Sequence, residues 1–327
     1  MKKNREIIIV LVLITFILAS CSKKSSDYIS ITLTTYNQGD TEEMTTSIYS
    51  YSIKDKETKK IFDFPFTAQY PLGVFSEEDN SVYFTKRDNL QHDQVFLYNL
   101  DEDKEYQLTT DLRAVNQIVP TKETVFFVAS ATDQVLRLGA LNKDSQYISY
   151  WGDKDINVET ITLNPVTQKI YISGFSYSED RENIEKQFVS DDNVYSMPLF
   201  TIYETDYNFT EAKELFSTNS WIRLLLMNKI DNNLVAVYDK EYNSFEPSES
   251  VTINLETSEI KKFRLPKDRI QVDGGGFSSD GKEIYGTFVL DDQRGIYSYK
   301  IDSKKYSPIF SSEDGFINNF QIMYQEN

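Results

Sequence analysis

The feature that most constrains the fold is a short motif that occurs five times along the chain. Each copy has a turn rich in Asp, Asn, Gly or Lys, followed by an apolar or aromatic strand. The copies are Phe75–Phe84, Pro120–Phe127, Leu163–Ile172, Asn228–Val237 and Phe277–Gly286. As the reference residue of each copy we take one aromatic or apolar residue in the strand after the turn. These reference residues are Tyr83, Phe126, Tyr171, Val235 and Tyr285, and they follow one another at intervals of 43, 45, 64 and 50 residues. Four short strands with their turns need about 40–45 residues, the length of one β-propeller blade.

The segments between the copies complete the blades. Gln94–Leu108, Val251–Phe263 and Gly295–Tyr306 each have a strand, a polar turn and a second strand, with apolar residues alternating at period two. This alternation is typical of half-buried strands. No long segment beyond the N-terminal region has a convincing helical period, so we expect an all-β fold with little helix.

The two ends of the chain predict how the ring closes. Tyr28–Tyr36 and Ser47–Phe64 give three strands of a sixth blade, and the apolar run Phe316–Met323 is left over after the last blade. We expect this run to supply the missing strand, because closure removes exposed sheet edges. Six blades are predicted. Seven are the alternative, because the 64-residue interval, with its polar insertion Ser176–Met197, could contain a degenerate blade.

One copy of the motif carries a family resemblance. Phe277-Ser278-Ser279-Asp280-Gly281-Lys282-Glu283-Ile284-Tyr285 resembles the F-S-P-D-G-K-x-I-Y element of the six-bladed TolB-type propellers (PD40/WD40-like repeats), with Ser279 in place of the usual proline. Phe75–Asp79 is a weaker copy without the glycine. The resemblance implies the architecture over residues 28–327. It does not choose a function, because propellers of this kind include binding scaffolds as well as lyases and other enzymes.

The N-terminal segment predicts export and a lipid anchor. Lys2, Lys3 and Arg5 precede an uncharged run from Ile7 to Leu18 that is too short to span a bilayer, as in export signals. Leu18-Ala19-Ser20-Cys21 resembles the lipobox of bacterial lipoproteins, which implies cleavage between Ser20 and Cys21 and lipidation of Cys21. We therefore expect a signal peptide at 1–20, a lipidated polar tether at 21–27 and one propeller at 28–327. The predicted location is the extracytoplasmic face of a bacterial cell membrane.

Composition excludes several classes of function. The chain has 34 basic and 51 acidic residues, a net charge of −17, which disfavours nucleic acid as a partner. Cys21 is the only cysteine, so lipidation would leave no thiol for catalysis, disulfides or metal binding. The only histidine, His92, lies in a polar segment between two strands, and we interpret it as a solvated loop residue.

No cofactor or metal is predicted from the remaining residue types. Zinc or iron sites with two histidine ligands are excluded by the single histidine. Calcium, which needs only oxygen ligands, is the alternative at an acidic turn. The acidic turns are Asp101-Glu102-Asp103, Asp191-Asp192-Asn193 and Asp291-Asp292, none of which has EF-hand spacing.

Two long departures from the repeat are the predicted binding loops. They are Ser176–Met197 and Glu241–Ser250, and their aromatic residues are Tyr177, Phe188, Tyr195, Tyr242 and Phe245. Long loops on a rigid scaffold are frequent binding sites. Gly274-Gly275-Gly276, just before the expected inner strand of the last blade, predicts close packing at the axis or the approach of a ligand.

These observations lead to a functional expectation and an alternative. The shortage of catalytic residue types favours a non-enzymatic scaffold that binds a protein, peptide or glycan at the cell envelope. The alternative is an extracytoplasmic hydrolase or lyase that uses carboxylates and tyrosines in the central channel. The residues that line the channel would distinguish the two.

Overall fold

The computed structural model shows a six-bladed β-propeller. It describes residues 26–37, 40–66, 70–189, 195–242, 248–264 and 270–324, with the backbone alone at 37, 40–43 and 270–273. The described chain forms six four-stranded antiparallel sheets, which are the blades. The predicted fold class and blade count are therefore confirmed, and the seven-bladed alternative is wrong.

The first three blades use the first eleven strands of the chain and the last one. Blade 1 contains β1 (Tyr28–Asn37), β2 (Asp40–Ser52), β3 (Glu57–Pro65) and β24 (Gly315–Met323). Blade 2 contains β4 (Gly73–Ser76), β5 (Ser81–Arg87), β6 (Asp93–Asn99) and β7 (Lys104–Gln107). Blade 3 contains β8 (Ala114–Pro120), β9 (Thr124–Ser130), β10 (Leu136–Asn142) and β11 (Ile148–Tyr150).

The other three blades follow in chain order. Blade 4 contains β12 (Ile156–Asn164), β13 (Lys169–Ser176), β14 (Phe200–Asp206) and β15 (Ala212–Thr218). Blade 5 contains β16 (Trp221–Asn228), β17 (Asn233–Asp239), β18 (Glu249–Asn254) and β19 (Ile260–Lys262). Blade 6 contains β20 (Ile270–Phe277), β21 (Glu283–Leu290), β22 (Gln293–Lys300) and β23 (Lys305–Ser311).

The repeated motif is the junction between the inner strand of a blade and its second strand. All five reference residues lie in second strands and are at most 3% exposed. In the clearest copy, Gly281 has φ +71°, a conformation that favours glycine in the tight turn after Asp280. The repeat therefore marks the part of each blade that packs against its neighbours.

The C-terminal strand closes the ring as predicted. β24 pairs antiparallel with β1, from Tyr28 opposite Met323 to Thr35 opposite Gly315, and so becomes the inner strand of blade 1. Six clusters of buried apolar residues lie between adjacent blades, one at each interface. The cluster between blades 6 and 1 includes Ile29, Ile31, Tyr285, Ile296 and Ile322. Packing and strand pairing thus both join the ends of the chain.

The insertion in blade 4 contains the one helix that the structure describes, α1 (Tyr177–Val189). The sequence predicts a polar loop over Ser176–Met197, and this prediction is wrong for residues 177–189. Ser176 caps the helix by accepting a hydrogen bond of 3.1 Å from the backbone nitrogen of Glu179. None of the side chains of α1 is buried, which is why its sequence lacks an apolar period. Within the described residues, no helix has the length and apolar character needed to cross a membrane.

Candidate functional site

A central cavity of about 900 Å³ runs along the propeller axis, lined by inner strands of all six blades. The inner strands run in one direction, so the channel has two distinct mouths. We call the end where β8, β12 and β16 begin the upper mouth, and the end where they finish the lower mouth. Trp221 lines the cavity near the upper mouth, whereas Glu77, Glu78 and Lys122 line it near the lower mouth.

The inner strands present polar residues at one level near the upper mouth. Each of four inner strands has an additional residue that is unpaired in the ladder to the second strand: Asn116 in β8, Glu159 in β12, Arg223 in β16 and Asn318 in β24. β20 has a larger irregularity between Gln271 and Gly275. Such β-bulges redirect a side chain and are frequent beside functional sites. Asn116, Glu159 and Arg223 line the cavity.

Two of these residues connect blades 4 and 5. The indole nitrogen Nε1 of Trp221 donates a hydrogen bond of 2.8 Å to Oε1 of Glu159. Burial raises the pKa of the Glu159 carboxyl, and the bond from Trp221 offsets only part of that rise. The carboxyl group therefore lies in a site where its negative charge is poorly solvated.

Arg223 is already paired within blade 5. Its Nε lies 2.9 Å from Oδ2 of Asp239, and the two side chains are 7% and 10% exposed. Its Nη2 also donates a hydrogen bond of 2.6 Å to Oγ of Ser248. The charge of this guanidinium is compensated before any ligand enters the channel.

The two predicted binding segments meet above Glu159. The ring of Tyr242 lies 5.2 Å from that of Trp221 and 6.0 Å from that of Tyr195, between ring centroids. The Tyr195 hydroxyl donates to Asp180 of α1. Burial raises the pKa of Tyr242, and the nearby charges of Glu159 and Asp180 raise it further. We call Glu159, Asp180, Tyr195, Trp221 and Tyr242 the mouth cluster.

The helix is fixed to the blade beside this cluster. The carboxylate of Asp155 accepts a hydrogen bond of 2.6 Å from the Ser176 hydroxyl, and further bonds of 2.9 Å from the backbone and hydroxyl of Ser178. The backbone nitrogen of Tyr177 also donates to the Asp155 carbonyl, at 2.8 Å. The side of the upper mouth that belongs to blade 4 is therefore held in place by a network of bonds at the start of α1.

The structure brings together some of the predicted site residues and separates others. Tyr195 and Tyr242 belong to the mouth cluster, and Tyr177 lies in the first turn of α1. Phe188 lies near the other end of α1 and is 78% exposed. Phe245, Ser20 and Cys21 lie outside the described residues.

The three glycines lie within inner strand β20, not before it as the sequence suggested. A Cβ atom on Gly275 would approach Leu226 Cδ2 of blade 5 to 2.8 Å, and one on Gly276 would approach Ile322 Cδ1 of blade 1 to 2.6 Å. Gly274 has φ +144°, and a Cβ there would lie 2.6 Å from the Phe320 carbonyl oxygen. These contacts are those of closely packed neighbouring inner strands. The three glycines also line the central cavity, so the approach of a ligand to them stays a prediction.

The positions of His92 and the acidic turns are less informative about function. His92 lies between β5 and β6, where its backbone nitrogen donates to the Asp88 carboxylate at 3.0 Å. Asp101-Glu102-Asp103 and Asp291-Asp292 form strand turns, and Asp191-Asp192-Asn193 lies outside the described residues. Within the described chain, no three His, Cys, Asp or Glu side chains are grouped as metal ligands. Calcium at one of these turns stays a prediction.

Sequence reasoning missed Glu159, Trp221, Arg223 and Asp239. For Glu159 and Arg223 the available signal is an apolar residue followed by a polar one, a pattern that recurs in four inner strands, whereas Trp221 and Asp239 carry no such signal. The pairs are Val115-Asn116, Val158-Glu159, Ile222-Arg223 and Ile317-Asn318.

Comparisons with known proteins agree with this architecture. No family model matches the chain. A curated Bacillus subtilis (strain 168) protein, described as the uncharacterized protein YdjN, is 20% identical in an alignment 311 residues long that covers 86% of this chain and 87% of that protein.

The similar solved structures are propellers with low sequence identity. TolB from Acinetobacter baumannii matches with a TM-score of 0.63 and 11% identity over 90% of this chain and 66% of that chain. A chain of a nidogen/laminin complex matches with a TM-score of 0.59 and 15% identity over 91% and 98%. An oligogalacturonate lyase in complex with manganese matches with a TM-score of 0.53 and 14% identity, over 88% of this chain and 75% of that chain. The chain has a β-propeller fold similar to that of TolB. At these identities the likeness establishes the fold alone.

Proposed function

We propose that this protein is a lipid-anchored, extracytoplasmic scaffold that binds a partner molecule at the upper mouth of its propeller. The observation that carries the proposal is the mouth cluster. Two segments that depart from the repeat, in adjacent blades, supply Asp180, Tyr195 and Tyr242, which lie beside Glu159 and Trp221 of inner strands β12 and β16 at one side of the cavity. Aromatic side chains around a central pocket are the usual anchors of binding surfaces.

The position of the tether supports the same proposal. β1 begins at Tyr28, which pairs with Met323 at the lower end of β24. The Tyr28 hydroxyl donates to the Phe75 carbonyl at 3.1 Å and accepts from the Glu77 backbone nitrogen at 2.8 Å, both near the lower mouth. A chain of six residues from Cys21 spans about 20 Å at most. An anchor on Cys21 would therefore hold the lower mouth toward the membrane and leave the mouth cluster facing away from it.

The polar groups of the channel favour binding over catalysis. Gln117 is bonded to the Ile161 backbone at 3.0 and 3.1 Å, Glu159 to Trp221, and Arg223 to Asp239. These bonds join neighbouring strands and blades, so the polar groups are already paired within the protein and stabilise the fold in the absence of a substrate. The enzymatic alternative requires a carboxyl group free to transfer a proton, and Glu159, with its raised pKa, is the residue that would carry it.

Affinity capture tests the proposal. Residues 22–327, which contain all six blades, are immobilised as the wild type, as Tyr242→Ser and as Tyr147→Ser. Tyr147 is 70% exposed in the turn between β10 and β11, away from the mouth cluster, and serves as a matched control. We expect one envelope component to be retained by the wild type and Tyr147→Ser and lost by Tyr242→Ser.

Two results would refute the scaffold. In the first, Tyr242→Ser retains the component as well as the control does. In the second, nothing is retained, while the wild type degrades envelope oligosaccharides and Glu159→Gln does not.

A further inference from the structure

We propose that the mouth cluster binds an ammonium group, with Glu159 as the counter-ion and the rings of Trp221 and Tyr242 beside the cation. The inference rests on the proposed function and specifies the chemistry of that site. It starts from the carboxyl group of Glu159, which the bulge in β12 directs toward the cavity. One of its oxygens accepts the Trp221 bond, which fixes the position of the carboxyl group.

The charges around the cavity favour a cation. Arg223 is the basic residue that lines the cavity on this side, and Asp239 compensates it at 2.9 Å. In the part of the chain that the structure describes, no basic side chain forms an ion pair with Glu159. An anionic ligand would meet uncompensated negative charge here, whereas a cation would compensate it.

The aromatic rings favour an ammonium over a compact metal ion. Ammonium groups are attracted to the faces of Trp and Tyr within about 6 Å of the ring centroid. The two rings are tilted by 57° with centroids 5.2 Å apart, so they form a corner rather than a flat stack. A carboxylate beside such a corner gives an ammonium group both a charge partner and an apolar wall.

The chain contains a built-in probe for this site. It has two tryptophans, and the other one, Trp151, is 5% exposed in the core between blades 3 and 4. In a Trp151→Phe background of residues 22–327, tryptophan fluorescence, excited selectively over the tyrosines, reports on Trp221 alone. The ligands to titrate are choline, N-acetyl-lysine methylamide and 3,3-dimethylbutan-1-ol, the uncharged isostere of choline.

We expect both cations to change the Trp221 emission and the uncharged isostere to bind roughly tenfold more weakly or worse. Glu159→Gln keeps an oxygen for the Trp221 bond but removes the charge, so cation affinity should fall roughly tenfold or more. Glu78→Gln makes the same change near the lower mouth and should leave affinity within about twofold. Tighter binding of the lysine derivative would indicate a lysine side chain of a partner, and tighter binding of choline would indicate a free quaternary amine.

Three results would overturn the inference. The first is equal binding of choline and its uncharged isostere, and the second is an unchanged cation affinity in Glu159→Gln. The third is no response to either cation at ~10 mM, a concentration at which binding of roughly millimolar affinity would be seen. If a partner is still captured through Tyr242 in any of these cases, the scaffold function stands and only the ammonium assignment fails.

Discussion

Replacing Asp239 with Asn should destabilise the propeller strongly, because it removes a buried carboxylate that pairs with the Arg223 guanidinium. The Arg223–Asp239 pair is separated by 2.9 Å, and both side chains are at most 10% exposed. Removing one member of a buried ion pair costs about 3–5 kcal/mol, since the remaining charge stays desolvated. The Ser248 hydroxyl remains bonded to Arg223, but it is neutral and cannot replace the carboxylate.

The expected change in melting temperature follows from the size of the domain. About 300 ordered residues unfold with an entropy of roughly 0.6 kcal/mol/K, so a loss of about 3–5 kcal/mol lowers the Tm by about 5–8 °C. Scanning calorimetry on residues 22–327 measures this difference. The double variant Arg223→Met/Asp239→Leu replaces both charges by apolar groups and should recover most of the loss.

The Tm values of the single and double variants together show whether Arg223 is a buried charge that Asp239 compensates. A Tm of Asp239→Asn within about 1 °C of the wild type would show that solvent screens the pair as it does on a surface. A double variant that melts no higher than Asp239→Asn would show that the loss comes from packing or from the Ser248 contact. Either result would refute the account of Arg223 as a compensated buried charge.

Three further predictions concern the core, the channel and the anchor. Phe84→Ala should lower the free energy of unfolding by about 3–5 kcal/mol in urea titrations, because the Phe84 side chain is fully buried with its ring centroid 4.8 Å from that of Phe64. The control Phe188→Ala should change it by less than about 0.5 kcal/mol, because the Phe188 side chain is 78% exposed. Equal effects of the two variants would contradict the packing of Phe84 between blades 1 and 2. Glu159→Gln should raise the free energy of unfolding at neutral pH. Burial raises the Glu159 pKa in the folded chain, so the gain should shrink as the pH falls and the wild-type carboxyl is protonated, and a gain that grows toward acid would have the wrong sign. Cys21→Ser should release the exported chain from the membrane fraction, measured by fractionation and immunoblotting, and persistent membrane attachment would exclude the lipid anchor.

The number of blades could be predicted from the sequence because five of the six blades repeat the same local plan. The junction between inner and second strands needs a polar turn and a buried residue shortly after it, so residues such as Tyr83, Tyr171 and Tyr285 mark one blade each. The closing strand was predictable for a related reason, since Phe316–Met323 is too apolar to remain unpaired. Both arguments use residues that are neighbours in the sequence.

The helix was missed because its stabilising signals are at its start rather than along its length. Ser176 and Glu179 have the spacing of a capping box, which predicts a helix N-terminus. The interior of α1 buries no side chain, so no apolar period marks it. The capping pair was the available signal, and it is weak without a following apolar pattern.

The mouth cluster could not be predicted because its contacts depend on how the ring is assembled. Glu159 and Trp221 are 62 residues apart and belong to different blades. Their contact depends on the bulge in β12 and on the angle between two blades. Tyr195 and Tyr242 were proposed for their place in long insertions, but the sequence did not show that the two insertions meet over the same side of the channel.

Site-specific photo-crosslinking in living cells tests the central claim most directly. A photoreactive amino acid is placed at Tyr242 in the mouth cluster or, as a control, at Ile230, which is 59% exposed at the lower mouth. A partner that binds at the upper mouth predicts a discrete cross-linked adduct from position 242 and none from position 230. Equal adducts from both positions, an adduct from 230 alone, or none from either would contradict it.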